Sequence, residues 1–438
     1  MVDQPSLTPV AGNGLLDRRL FLSRSFKAIT TVALSGPALA AAPREPWMRT
    51  PGEPFSNYGT PSPHESALVR WISATAGSPQ NGVSWTPLHD LDGTITPNGL
   101  HFERHHNGVP QIDPAQHTLV INGLVERALE FDLAALRRYP RISRILFIEC
   151  GGNSNAGWNP QPIQSPAGYF HGLASCSEWT GVPLRTLLEE AGMTDRAAWM
   201  IAEGADAFGM TISLPLKKGL DDCLLALYQN GEPLRPEQGY PLRLIVPGWE
   251  GVTNVKWLRT LTVTARPVMA RNETSRYTEL QPNGRARMFT FVMEVKSLLT
   301  MPSPGSRLAA HGYYELSGLA WSGYGRIAAV EVSADGGETW ADAALNEPVL
   351  PRAFTRFRIP WHWQGEEVIL QSRATDDTGA VQPARAALLN ARGRHGYFHY
   401  NAIVSWAVGA DGTVTHVYPD TPAAPAEPSA DPFEAPWK

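Results

Sequence analysis

The sequence predicts an α+β fold rich in β-strand, in which a mixed domain is followed by an immunoglobulin-like β-sandwich. Three observations carry this. The 438 residues include 39 Gly and 38 Pro, a content that favours turns and short strands over long helices. Between about residues 95 and 265, strand-like runs alternate with short capped helices. Beyond about 285 only strand patterns remain, at a spacing that suits a sandwich.

Taken in order, residues 1–42 read as a twin-arginine signal peptide and not as structure. Asp17-Arg18-Arg19-Leu20-Phe21-Leu22 matches such a signal, and Ala38-Leu39-Ala40 is a small-residue cleavage site. The expected destination is the periplasm, reached as a folded protein. Residues 43–90, irregular and rich in Pro, Gly and Ser, read as an extended arm with one short apolar stretch at Ala67–Ile72. Within residues 91–268, Asp132 caps a helix running to Tyr139 and stopped by Pro140. A second helix starts at Pro183, puts Leu184, Leu187, Leu188 and Ala191 on one face, and ends at Gly192. Within residues 285–405, Ala328, Val330 and Val332 alternate before Asp335-Gly336-Gly337, and Val368, Leu370, Ser372 and Ala374 alternate before Asp376-Asp377-Thr378-Gly379. Residues 418–438, rich in Pro, Ala and acid, read as a mobile tail.

Composition narrows the function. A net charge of −5 offers no basic field for nucleic acid, and no late apolar run approaches the roughly 20 residues needed to cross a bilayer. The three cysteines, Cys150, Cys176 and Cys223, form no Cys-x-x-Cys pair, so zinc sites and a disulfide scaffold are poor readings. The missing Cys-x-x-Cys-His excludes a covalently attached haem on this chain. Cys176 and Cys223 read as core or loop thiols. The scattered acids, Glu294 and Asp335 among them, read as solvated or hairpin residues.

Cys150 stands apart, because it closes the apolar run Ile145–Ile148 and opens into Gly151-Gly152-Asn153. Thiolate is a soft ligand suited to a polarisable metal, glycines allow a bulky group near the backbone, and Asn153 can bond the turn. One cysteine cannot hold a bare metal, so other ligands must come from a cofactor or from distant residues.

The segment Phe147–Asn153 resembles the molybdenum-binding stretch of the sulfite oxidase family of molybdopterin enzymes. Phe102–His106 with Pro110, Leu119–Val125, Trp179–Leu184, Asn230–Leu234, Gly239–Gly248 and Asn254–Leu258 resemble further family segments in one register, from about residue 90 to about residue 405. Sulfite-oxidising members usually carry arginine just past the cysteine motif, whereas this chain has Ser154 and Asn155. With Arg271–Leu280 and Phe289–Glu294, that departure makes it resemble the molybdenum subunits of sulfane dehydrogenases of the thiosulfate-oxidising Sox system.

The resemblance implies a molybdenum-molybdopterin cofactor with Cys150 as the protein's metal ligand. Arg104, His106, Arg243 and Lys256 fall on cofactor-holding positions, and Gln238 stands where histidine is common. Catalytic roles are expected for Cys150, Arg104, Asn155 and Tyr277, with Trp179 and Arg276 as weaker candidates for the substrate rim. It further implies oxygen-atom transfer to a sulfur lone pair, electrons leaving singly to haem on a c-type cytochrome subunit, and a sulfur-carrier protein as substrate. Uncharged Ser154 and Asn155 would suit a mouth that admits a peptide arm. The second domain would form a dimer contact, in a homodimer or heterotetramer. Two other readings stand beside this one: a sulfite dehydrogenase using cytochrome c, and a cofactor-free β-rich binding protein.

Overall fold

The computed structural model describes residues 9–16, 61–65, 68–393 and 396–419. Most of the expected signal peptide and nearly all of the expected tail lie outside these residues. Residues 9–16 are the exception, and they pack against the second domain.

Residues 71–105 hold more regular structure than an irregular arm. Strands Trp71–Thr75, Ser78–Trp85 and Glu103–His105 form an antiparallel sheet, with Val83 paired to Arg104. The local sequence gives little warning, because the first two strands are largely solvated and lack an alternating apolar face. Their pairing is what fixes Arg104 in space.

The first domain is built on two five-stranded sheets. In one, Leu224–Gln229 and Ala174–Pro183 lie side by side, and Ile142–Glu149 forms the far edge. The other is mixed: Leu258–Thr264 runs parallel to Thr118–Gly123 and antiparallel to Trp199–Gly204. The second expected helix is present, and the first is a single turn that ends short of the expected Tyr139. Leu133–Leu136 is capped by the Asp132 carboxylate, which accepts from the Ala135 amide. Leu184–Ala191 buries Leu184, Leu187, Leu188 and Ala191 and stops at Gly192, whose positive φ of 66° suits a residue without Cβ.

The second domain is a sandwich. One sheet orders Lys296–Met301, Gly312–Trp321, Thr355–Trp363 and Ala344–Leu345; the other orders Ala341–Asp342, Ile327–Ser333, Val368–Asp376, Ser405–Val408 and Val414–Val417. Its core reaches into the first domain. Phe147, on the strand leading to Cys150, stacks on Phe354 at 6.3 Å and meets Trp321 at 6.4 Å, and its amide donates to the Arg352 carbonyl. Ala167, Phe170 and Cys176 join the same apolar cluster. The sandwich therefore packs directly on the strand that carries the candidate ligand.

Candidate molybdenum cofactor site

Cys150 sits at the end of strand Ile142–Glu149, where the chain turns away from the sheet. Its amide donates to the Leu173 carbonyl and its carbonyl accepts from the Asn153 amide at 2.8 Å. Asn153 is buried; its side-chain carbonyl accepts from the Leu173 amide and its NH2 donates to Glu149. The left-handed residue of this turn is Ser154, at φ 62°, and not Asn153. The glycines open space for protein rather than for a cofactor. A Cβ on Gly151 would lie 3.2 Å from Glu250 Oε1, and one on Gly152 would lie 3.3 Å from the Tyr397 ring.

Arg104, His106, Cys150, Arg243, Lys256 and Tyr277 line one narrow cavity of about 70 Å3. Cys150 is partly exposed to it. Burial pushes the Cys150 thiol up, against the pull of the Gly152 amide and Arg104. Arg243 donates to the Gln238 side-chain carbonyl at 2.9 Å and to the Asn254 carbonyl, and lies 5.3 Å above the Trp179 ring. Burial lowers it to about 9. Gln238 thus orients Arg243, a role a histidine ring would fill differently.

Lys256 donates to the Arg104 and Glu237 carbonyls and to His105 Nδ1 at 2.9 Å. With Nδ1 accepting, His105 must donate through Nε2 to Glu103, 2.6 Å away. Glu103 also meets Arg70. His106 stacks on Phe208 at 4.4 Å, and burial with nearby cations lowers it to about 3, so it is a neutral ring. Burial also drives Lys256 well below the usual lysine range, with Arg243 adding to the effect.

The cavity's residues fit a phosphate-bearing pterin with a metal. Neither Arg243 nor Lys256 has a carboxylate within ion-pair distance among the described residues. A buried cation without a counter-charge is costly, and an anion in the cavity would relieve that cost. Among the described residues no group of three or more His, Cys, Asp or Glu can hold a metal ion, so a metal at Cys150 needs ligands that a cofactor brings.

The remaining expected residues are placed variously. Ser154 does not face the mouth. It is buried, its hydroxyl accepting from Lys296 at 2.7 Å and bonded to His171 Nδ1 at 2.6 Å. Trp179 is fully buried beneath Arg243, its indole N–H donating to the Leu146 carbonyl, so it supports the floor and is no part of the rim. Asn155 is half-buried, does not line the cavity and hydrogen-bonds Tyr397. Tyr277 stacks on Phe398 at 4.9 Å, and burial raises its phenol, so it stays protonated. Arg276 is exposed. Cys176 and Cys223 are buried away from the cavity; burial pushes both thiols up, Cys176 to about 12.

Several residues near Cys150 escape the sequence reading. Tyr397 and Phe398 wall the mouth from a segment far along the chain. Glu294 is no solvated acid: it pairs with Arg392 and with His399, which also meets Glu250 and whose amide donates to the Gly151 carbonyl. The signal that was available is Glu294 beside Val295-Lys296, an acid and a base inside an apolar strand.

Residues 106–271 match the family described as oxidoreductase molybdopterin binding domain, and residues 287–406 match the Mo-co oxidoreductase dimerisation domain. The chain belongs to the sulfite oxidase family of molybdopterin enzymes. It is similar to the crystal structure of the sulfane dehydrogenase SoxCD from Paracoccus pantotrophus, with a TM-score of 0.83 and 44% identity, covering 86% of this chain and 97% of that one. Among curated relatives, mitochondrial sulfite oxidase of Mus musculus is 31% identical over 330 residues, 69% of this chain and 60% of its own length. An NADH nitrate reductase of Solanum lycopersicum is 30% identical over 357 residues, 72% of this chain and 39% of its own. The chain therefore spans less than two thirds of these two relatives. Both family matches meet at the Cys150 loop, where the two domains touch.

Proposed function

We propose that this protein is the molybdenum subunit of a sulfane dehydrogenase, oxidising sulfane sulfur borne on a carrier protein during thiosulfate oxidation and passing electrons to a c-type cytochrome subunit. The observation that carries the reading is the mouth. Beside Cys150, Tyr277 stacks on Phe398 and Tyr397 bonds Asn155, with Arg104 and Arg276 as the nearby charges, an aromatic surround that suits a peptide arm. The 44% identity to a sulfane dehydrogenase over 97% of its chain supports it.

Bound in this cavity, a molybdenum cofactor supplies an oxygen-atom donor and a two-electron acceptor. The protein's part follows from its own residues. Cys150 would hold the metal, losing its proton as the metal binds. Arg243 and Lys256 would hold the pterin phosphate, Arg243 as a planar fork steadied by Gln238. Arg104 places positive charge beside Cys150 and would draw the anionic end of a persulfide inward. Tyr277, kept protonated, offers a hydrogen-bond donor at the mouth.

Similarity to mitochondrial sulfite oxidase favours a second reading, a sulfite dehydrogenase using cytochrome c. Steady-state assays decide between them. The sulfane-loaded carrier is expected to turn over far faster than sulfite, and the reverse order sinks the proposal. Cys150→Ser is expected to abolish turnover; unchanged activity at full molybdenum content would remove the ligand assignment. We also propose export to the periplasm by the twin-arginine route, checked by a periplasmic form that begins at Ala41. A dimer through the sandwich, or a heterotetramer with the cytochrome, follows from the dimerisation-domain match and is measured by mass in solution.

A further inference from the structure

Residues 9–16 stand directly before the paired arginines, inside the stretch expected to be cleaved, yet they are docked on the sandwich. Ala11 pairs with Leu15 across a tight turn, with Asn13 at φ 54° and Gly14 at φ 86°, the left-handed conformations that Asn and Gly adopt most readily. Leu15 then pairs antiparallel with Trp361: the Leu16 amide donates to the Pro360 carbonyl and the His362 amide donates to the Gly14 carbonyl, both at 3.0 Å. The segment thereby extends strand Thr355–Trp363, whose other partner on that side, Ala344–Leu345, reaches only Phe357 and Arg358.

Side chains reinforce the pairing. Leu15 is fully buried in the sandwich core and Leu16 nearly so. The Trp361 indole donates to the Asn13 carbonyl, Asn13 Nδ2 donates to the Ala334 carbonyl, and the Gly12 amide donates to Thr339 Oγ1, each at 2.7 Å. A Cβ at Gly14 would fall 2.1 Å from the His362 carbonyl oxygen, so the close approach requires glycine. Ala334 and Thr339 follow a strand of one sheet, whereas Pro360–His362 belong to the other. The docking site thus exists only once both sheets have formed and packed.

We propose that the sandwich edge is a binding site for the chain's own residues 9–16 once the second domain has folded, and that any receptor reading the paired arginines competes with it for those residues. Arg18 and Arg19 follow Leu16 by two and three residues, a reach of at most roughly 7 and 11 Å. An address of this kind is read by a receptor, which must draw a buried leucine pair off the sandwich to gain the residues before the arginines. Cleavage after Ala40 removes the segment and bares the edge. The docking stands apart from the sulfur chemistry; its meaning for export rests on the twin-arginine reading, whose failure would show separately as a chain that never reaches the periplasm.

The test uses the full, folded chain. A protease cutting after Arg18 must seat Leu15 and Leu16, so cleavage reports the undocked population when docking is fast. Trypsin cleavage at Arg18 is expected to be at least tenfold faster in Leu15→Asp than in the native sequence. Gly14→Ala, which adds one methyl against the His362 carbonyl, is expected to do the same and keeps the test open should Leu15→Asp disturb folding. In both variants hydrogen exchange at the His362 amide should rise while the melting temperature of the body holds. Native-sequence rates in both variants overturn the proposal, and acceleration in only one overturns the hairpin geometry on which it stands.

Discussion

On the cavity side of Cys150, Arg243 is a buried cation and Lys256 a half-buried one, neither with a carboxylate at ion-pair distance among the described residues, whereas Glu149 and Lys296 on the sandwich side are matched. Glu149 accepts from Lys296 at 3.1 Å, from the Trp321 indole at 2.7 Å and from Asn153 at 2.9 Å, with only 1–2% of the Glu149 and Lys296 side chains exposed. A few residues away, Glu250, His399, Glu294, Arg392 and Glu279 form a second linked set. The difference separates two uses of buried charge. Matched charges join the domains behind the ligand loop, and unmatched ones are poised to receive an anion.

Substitutions that remove one charge at a time should therefore act oppositely on the two sides. Glu149→Gln or Lys296→Met leaves a lone buried charge or an unfilled set of donors, and is expected to cost about 3–5 kcal/mol of stability. Joint replacement by Glu149→Gln and Lys296→Met is expected to recover much of that loss. Urea unfolding of the cofactor-free chain measures both, and additive losses would break the pairing argument. Because the pair stands next to Cys150, the single variants should also lose molybdenum.

Arg243→Met tests the cavity side. In the cofactor-free chain it removes an unpaired buried charge, so stability is expected to hold or rise. Cofactor retention, by contrast, should fall by roughly 2–5 kcal/mol, the cost of truncating one member of a buried charge pair. Molybdenum per chain after dialysis, set beside the urea midpoint of the cofactor-free chain, separates the two effects. Loss of stability with retained metal would show that Arg243 braces the fold and holds no phosphate.

His399 gives the matched side a pH signature. Burial alone would lower it, but Glu250 and Glu294 raise it to about 10 from an ordinary 6.5. A folded-state value above the unfolded one contributes stability that is fully present below about pH 6.5 and is lost as pH rises through about 10. The melting temperature should fall over that window, and His399→Gln should flatten the slope. An identical slope in the variant would assign the dependence to other groups.

The sequence made the ligand side legible and the matched side nearly invisible. Cys150, Arg104, Arg243 and Lys256 are expected together from their shared register with the family's segments, and the fold brings all four to one cavity. Glu149 and Lys296 are 147 residues apart, and Gly151 and His399 farther still, so only the closed fold brings them together. Helix signals such as the Asp132 cap and Gly192 are local and legible, though the first helix ends at Leu136 and not at Tyr139; the alternation holds at Val330 and Val332 but slips at exposed Ala328, where a bulge makes Ile327 the buried residue. The sheet of Trp71–His105 was missed because its stability comes from pairing with a distant strand, and not from an apolar face. Ser154 was placed at the mouth by its neighbour Asn155, but a left-handed residue at that turn points the hydroxyl inward, to Lys296 and His171.

Asn155 carries the smallest expected effect and the closest test of substrate choice. It hydrogen-bonds Tyr397, within reach of the charges of Arg104 and Arg276. Asn155→Arg would add a cation near Arg104 and Arg276, making the mouth attractive to a free dianion and less so to a neutral peptide arm. Because the site is open to solvent, the gain should be modest, about 1.4 kcal/mol or roughly tenfold in kcat/KM for sulfite, and should shrink as salt rises. Turnover of the sulfane-loaded carrier should fall in the same variant, since the longer side chain also crowds Tyr397. Sulfite turnover that stays unchanged at low salt, with the carrier still oxidised at the native rate, would mean that charge at this lip does not select the substrate, and would shift the selection to the aromatic wall of Tyr277, Tyr397 and Phe398.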